Sequence, residues 1–170
     1  MRSIMALFRP KANDVAGLYQ ALVAEARSPG WYIEGGAADS MTGRFAVLAS
    51  LTALAVLRLE QGGEEGVRAS AALTEAFIAD LEPQLREAGL GDPTLGKEVR
   101  RLVGALANRT DRFRAALDGQ ADWNATAVDA ALLGEPASEA AATYAAERLK
   151  SFAEHLAGFD DRAIIEGRLS

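Results

Sequence analysis

Apolar residues recur along this chain at spacings of three and four, the period of a helix with one buried face. In residues 14–27, Val15, Leu18, Leu22, Val23 and Ala26 share a face, and Asn13 stands where an N-cap is needed. Ser28-Pro29-Gly30 ends that pattern, and a loop with Trp31, Tyr32 and Gly35-Gly36 follows. Residues 41–61, with Ser40 as cap, behave differently. Between Phe45 and Leu57 there is no charge, and the helix is apolar nearly all round. A helix of that kind is buried on most sides, so it belongs at the centre of a bundle.

Three further long helices and a short one complete the reading. Residues 65–87 repeat Leu73, Phe77, Leu81 and Leu85, with Pro83 predicting a kink because it lacks an N–H and crowds the preceding turn. Residues 93–117 carry the clearest stripe: Leu95, Val99, Leu102, Leu106, Phe113 and Leu117. Asp92 is placed to cap this helix, with Pro93 at its first position. Asp122 caps a short helix over 123–133, and Ser138 caps another over 139–157, with a last turn over 161–166. No strand, repeat or low-complexity segment is visible. The expected fold class is all-α: a single compact bundle of about six helices over residues 13–170 around the apolar helix at 41–61. Residues 1–12 form a flexible N-terminal tail in this reading.

Composition agrees with the pattern. The chain of 170 residues is rich in alanine, which favours helix, and poor in aromatics. A domain of this length buries roughly 70% of the surface its unfolded chain exposes, so its core needs no metal or disulfide. There is no cysteine, hence no thiolate nucleophile and no zinc–thiolate site. The net charge of -6 argues against a general or sequence-specific nucleic-acid binder. The apolar stretch around Ile4, Met5, Leu7 and Phe8 is shorter than the ~7–15 residues of a signal h-region, and the uncharged run at 45–57 falls short of the ~18 that suggest a membrane span. The expected location is cytoplasmic, or peripheral at the inner membrane.

Candidate chemistry is sparse. His155 is the one histidine and has no cysteine or second histidine with which to ligate a metal. No Gly-x-Ser-x-Gly elbow presents a nucleophile. Asp160-Asp161 reads as a solvated turn or a helix cap. Gly91 to Lys97 has the spacing of a phosphate-binding loop. Glu98 follows where Ser or Thr is required, and a helix precedes the segment where a strand is required. No catalytic residue, metal ligand or cofactor is therefore assigned.

Charge is unevenly placed. From Lys97 to Arg114 there are six basic and two acidic residues, in a protein of opposite net sign. Lys97, Arg100, Arg101 and Arg112 fall on or near the face opposite the apolar stripe. They are either a solvated face or a docking stripe for lipid headgroups, ribosomal RNA or an acidic partner.

Asp39 followed by Gly43-Arg44-Phe45 leads into the apolar helix. Leu85-Arg86-Glu87-Ala88-Gly89-Leu90-Gly91-Asp92 is followed by Gly96-Lys97 and, further on, Arg109. In order and spacing these blocks, with Tyr19, Ala26-Arg27 and Pro29 to Tyr32 upstream, resemble the ubiquinol–cytochrome c chaperone family. Its members are assembly factors for cytochrome b of the respiratory cytochrome bc complex. The resemblance covers residues 18–117, and the C-terminal third matches loosely. Leu81-Glu82-Pro83 departs from the family's uninterrupted acidic helix, and Asn108 from a glycine before Arg109.

The resemblance implies an all-helical, non-enzymatic chaperone that binds nascent or unassembled cytochrome b, near an anionic membrane surface or the ribosome. The alternatives from other classes are a helical scaffold or adaptor, which would show a large flat apolar patch, and an enzyme, which would show clustered acids in a deep polar pocket. Oligomeric state stays open. The candidate binding residues are Trp31, Tyr32, Arg44, Lys97, Arg100, Arg101 and Arg112. Trp31 and Tyr32 are either a client-binding hook or a lid on the core. Asp39, Gly43, Phe45, Arg86, Gly89, Gly91 and Asp92 are read as structural. Gly43 allows close helix packing, Arg44 pairs with Asp39 or with an acid such as Asp80, and Gly89 and Gly91 supply conformations that a Cβ resists.

Overall fold

The computed structural model describes residues 14–170. Among them are eight helices and no strand: α1 (Ala16–Ala26), α2 (Gly30–Ile33), α3 (Met41–Glu60), α4 (Glu64–Glu87), α5 (Asp92–Leu117), α6 (Trp123–Leu132), α7 (Glu139–Ala157) and α8 (Asp161–Ile165). The tail expected over residues 1–12 and the Asn13 cap lie outside the described residues. The six predicted helices are present and the predicted last turn is α8. The segment read as a loop after Pro29 is partly helical, since α2 is a single turn that brings Trp31 inward.

The central place of the apolar helix is confirmed. α3 packs against α1, α4, α5, α6 and α7, and every residue from Ala49 to Leu57 is buried. By length and hydropathy α3 could cross a bilayer, but 72% of that window is buried inside the bundle. Neighbours approach it closely because they present alanine: Ala69, Ala127, Ala130, Ala131, Ala145 and Ala146 are all in the core. Larger side chains fill the gaps between helices, with Leu18, Leu22, Leu73, Phe77, Phe113 and Leu149 fully buried. Each such side chain stabilises the fold by about 1.5–3 kcal/mol relative to exposure.

Three predicted caps are in place. Ser40 Oγ accepts from the Gly43 N–H at 3.1 Å, Asp122 Oδ1 from Ala125 at 2.7 Å, and Ser138 Oγ from Ala141 at 3.1 Å. The expected Asp92 cap is not. α5 starts after Gly91, and Asp92 is already its first residue. The Asp92 carboxylate instead takes the Arg86 guanidinium at 2.9 Å, which ties α4 to α5 across the turn. Gly89 has φ +91, a conformation that favours glycine, whereas Gly91 has φ -78 and open space where a Cβ would sit, so it needs no glycine. α4 continues through Pro83 to Glu87. Pro83 and Ala79, whose carbonyl loses its partner, are both on the exposed side, where water can serve instead. Leu117, read as part of the buried stripe of α5, is 46% exposed, and Ala116 takes the buried place.

The C-terminal end of α3 is locked by charge. Arg58 donates to Asp161 at 2.8 Å and to the Phe159 carbonyl at 2.6 Å. The second Asp161 oxygen accepts from the Gly63 N–H at 2.8 Å, so α3, the start of α4 and α8 meet at one pair. Any Cβ on Gly62 would lie 2.3 Å from the Asp161 carboxylate, which is why this turn carries glycine. Asp160 caps α8 through the Ala163 N–H at 2.7 Å.

Candidate binding groove

At the other end of α3 the bundle does not close. A half-open groove of about 1020 Å³ lies between the end of α1, α2 and the loop after it, the start of α3, the second half of α4 and the middle of α5. Its floor is apolar: Phe45, Leu48, Leu81, Leu85 and Leu102. Leu85, Leu95 and Leu102 form a small core of their own at the α4–α5 turn, separate from the main one. Ile33, Met41 and Leu133 also line the groove and are 76%, 57% and 48% exposed. Leu133 is held at φ 56, the one non-glycine residue with positive φ among the described residues. That conformation costs a leucine roughly 1–2 kcal/mol.

The groove's charges fall into two groups. Arg44 pairs with Asp39 (2.6 Å), not with Asp80; both side chains of the pair are about two-thirds exposed. Arg101 donates to Glu98 at 3.1 Å, a bond that holds the Glu98 carboxyl below its usual range. Asp80 accepts from the Tyr19 hydroxyl at 2.7 Å. Burial, and then that bond, pushes the Tyr19 phenol far above its usual range. Arg27 and Arg109 have no ion-pair partner among the described residues. Arg109 is half-buried, with its guanidinium 5.5 Å from the centre of the Phe45 ring. Nε and one terminal nitrogen donate to the Ala130 carbonyl at 3.2 and 3.0 Å, and the other terminal nitrogen to Ala105 at 3.3 Å. Burial, and then the nearby Arg112, lowers its pKa from the usual arginine value.

The candidate residues separate in the structure. Trp31 is fully buried and is a lid on the core, not a hook. Its indole N–H donates to the Glu25 carbonyl at 3.1 Å, and Arg148 lies 4.8 Å over its ring while donating to Glu25 at 2.9 Å. Tyr32 does line the groove, with its hydroxyl donating to the Ala26 carbonyl at 2.7 Å. Gly43 packs not against a helix but against the loop before α3, where a Cβ would fall 1.9 Å from the Ala38 carbonyl oxygen. Arg44 lines the groove, as does Arg101 of the basic stripe, whereas Lys97, Arg100 and Arg112 do not. Lys97, Arg100 and Arg101 are exposed, as the pattern predicts. Arg112 is only partly so and pairs with Asp129 at 2.6 Å. Ile33, Met41 and Leu133 are groove residues that periodicity does not single out, because each sits just outside or at the end of a periodic segment.

The remaining sequence features lie away from the groove. Residues 92–97 are the first turns of α5, so no loop is available to cradle a phosphate. His155 is exposed, with Nε2 2.6 Å from the Leu169 carbonyl oxygen and its ring edge-on to Phe159. No cluster of acids and histidine among the described residues could hold a metal.

The comparisons with known proteins fall on this geometry. A family model described as ubiquinol-cytochrome C chaperone matches residues 34–170. The chain belongs to that family. The match includes the C-terminal third, which the sequence motifs reach only loosely, and leaves the upstream residues Tyr19, Arg27 and Tyr32 outside. The fold is similar to the crystal structure of the Cbp3 homolog from Brucella abortus, with a TM-score of 0.80 and 26% identity over 99% of this chain and 96% of that one. No curated protein sequence matches. A chaperone role in cytochrome bc complex assembly follows from the family. Asp39, Gly43 and Phe45, read as structural, stand at the groove: two line it, and Gly43 lets its wall approach.

Proposed function

We propose that the protein is a non-enzymatic chaperone of cytochrome bc assembly that holds an apolar segment of unassembled cytochrome b in the groove, working at the cytoplasmic side of the inner membrane. The observation that carries this reading is the gathering of exposed apolar side chains. Five large ones are exposed among the described residues, and Ile33, Met41 and Leu133 line this single groove. Contiguous exposed apolar surface marks a binding site more often than chance. A scaffold would favour a flat patch, and this surface is concave. An enzyme would favour free acids, and the groove's Asp39, Asp80 and Glu98 are each held by an arginine or a tyrosine.

The test is complementation of a deletion strain. Deletion is expected to lower assembled cytochrome bc complex and spectroscopic b-type haem while soluble enzymes stay normal. Wild type and Val67→Asp, which changes an exposed apolar residue outside the groove, should restore both. Ile33→Asp with Met41→Asp should accumulate as folded protein and fail to restore them. Normal complex in the deletion strain would overturn the chaperone assignment. Full rescue by the double variant would overturn the groove.

A further inference from the structure

Arg109 is the feature of the groove that the fold leaves incomplete. A cation removed from water is costly unless an opposite charge and hydrogen bonds replace its hydration. The Ala105 and Ala130 carbonyls supply hydrogen bonds, and the Phe45 ring supplies a π face. No carboxylate pairs with it among the described residues. Asp129, next in sequence to the Ala130 whose carbonyl Arg109 binds, is committed to Arg112 at 2.6 Å, and the groove's Asp39 and Glu98 to Arg44 and Arg101. Three bonds to carbonyls also leave part of the guanidinium's donor fork unused. Arg27, exposed and unpaired among the described residues, adds a second positive charge to the lining.

We infer that the groove selects an apolar peptide segment interrupted by one acidic side chain, whose carboxylate pairs with Arg109 above the Phe45 ring. This rests on the groove being the client site. The apolar floor takes the aliphatic part of such a segment. Once the segment covers the groove, water is excluded and the ion pair strengthens in the lowered dielectric. An amide in the same place leaves the cation uncompensated, and a lysine opposes it. A wholly apolar segment fills the floor but gains nothing from Arg109. The arginine therefore confers choice among apolar segments, which an apolar groove alone makes poorly.

The test uses the full-length chain and short helical Leu/Ala peptides with uncharged solubilising ends, identical except for one central residue: glutamate, glutamine or lysine. Binding is read by fluorescence polarisation. The glutamate peptide should bind about tenfold tighter than the glutamine peptide, with the lysine peptide weakest. In Arg109→Gln the preference should vanish while the glutamine peptide keeps its affinity; should that variant fail to fold, Arg27→Gln should leave the preference intact, and its loss there would overturn the assignment to Arg109. Equal binding of glutamate and glutamine peptides to wild type would overturn the inference and leave the groove reading standing. No binding of any peptide, together with unchanged cytochrome b capture by Ile33→Asp with Met41→Asp, would overturn both.

Discussion

The two ends of α3 use similar residues to opposite effect. At its C-terminal end Arg58 and Asp161 are each about one-fifth exposed, and Gly62 and Gly66 let the chain approach the Asp161 carboxylate, from which a Cβ on either would lie 2.3 and 2.8 Å away. At its N-terminal end Arg44 and Asp39 are about two-thirds exposed, Arg109 has no acid among the described residues, and Ile33 and Met41 stand in solvent. One end is finished as a core. The other is left as a surface that only a partner completes. The same residue types therefore give closure or readiness depending on what packs around them.

The largest expected effect separates the ends by stability. Arg58→Ala strips the counter-charge from a mostly buried Asp161 and should cost about 3 kcal/mol in urea unfolding. Asp39→Ala, at the open end, should cost less than about 1 kcal/mol. Similar losses at both would erase the distinction. Next comes the strained groove residue. Leu133→Gly removes the penalty of positive φ and should leave stability unchanged or raise it by about 1 kcal/mol, while client capture weakens. A variant that is less stable and binds normally would make Leu133 a packing residue.

Alkaline titration probes the bridge between α1 and the groove. Tyr19 has its pKa raised by burial and by Asp80, so the folded state keeps a phenol proton that the unfolded state releases. The resulting stability is fully present below the unfolded value near 10 and is lost as pH rises above it. Tyr19→Phe should flatten that alkaline fall, and an unchanged pH profile would remove Tyr19 from it. The smallest effect concerns the free part of the basic stripe. Lys97→Glu with Arg100→Glu should shift stability by no more than about 0.5 kcal/mol. If the stripe docks anionic liposomes or ribosomes, that variant should also sediment less with them at low salt. Unchanged sedimentation would leave the stripe a solvated face.

Much of the fold is legible in the sequence because its signals are local. The charge-free run at 45–57 announces the central helix, and Ser40, Asp122 and Ser138 announce their caps. Asp92 misled because α5 begins one residue earlier than read: Gly91 takes the cap position, and the Asp92 side chain pairs with Arg86. Trp31, read as either a hook or a lid, is fully buried in the main core, and one of its contacts, Arg148 over the ring, lies more than a hundred residues away, beyond any local signal. The groove itself has no sequence period. It is made where α1, α3, α4 and α5 diverge, and its key residues sit at element ends. Gly43 and Phe45 were visible through the family resemblance, although their role at the groove wall was not.

The most direct test of the groove compares two exposed apolar positions of similar accessibility, Met41 at 57% inside it and Val67 at 51% outside it. A photoreactive residue placed at each, in cells making cytochrome b, is irradiated and the adducts are identified. Adducts to cytochrome b from position 41 and none from position 67 are expected. Adducts from 67 alone, or equally from both, would contradict the groove as the place where the client is held.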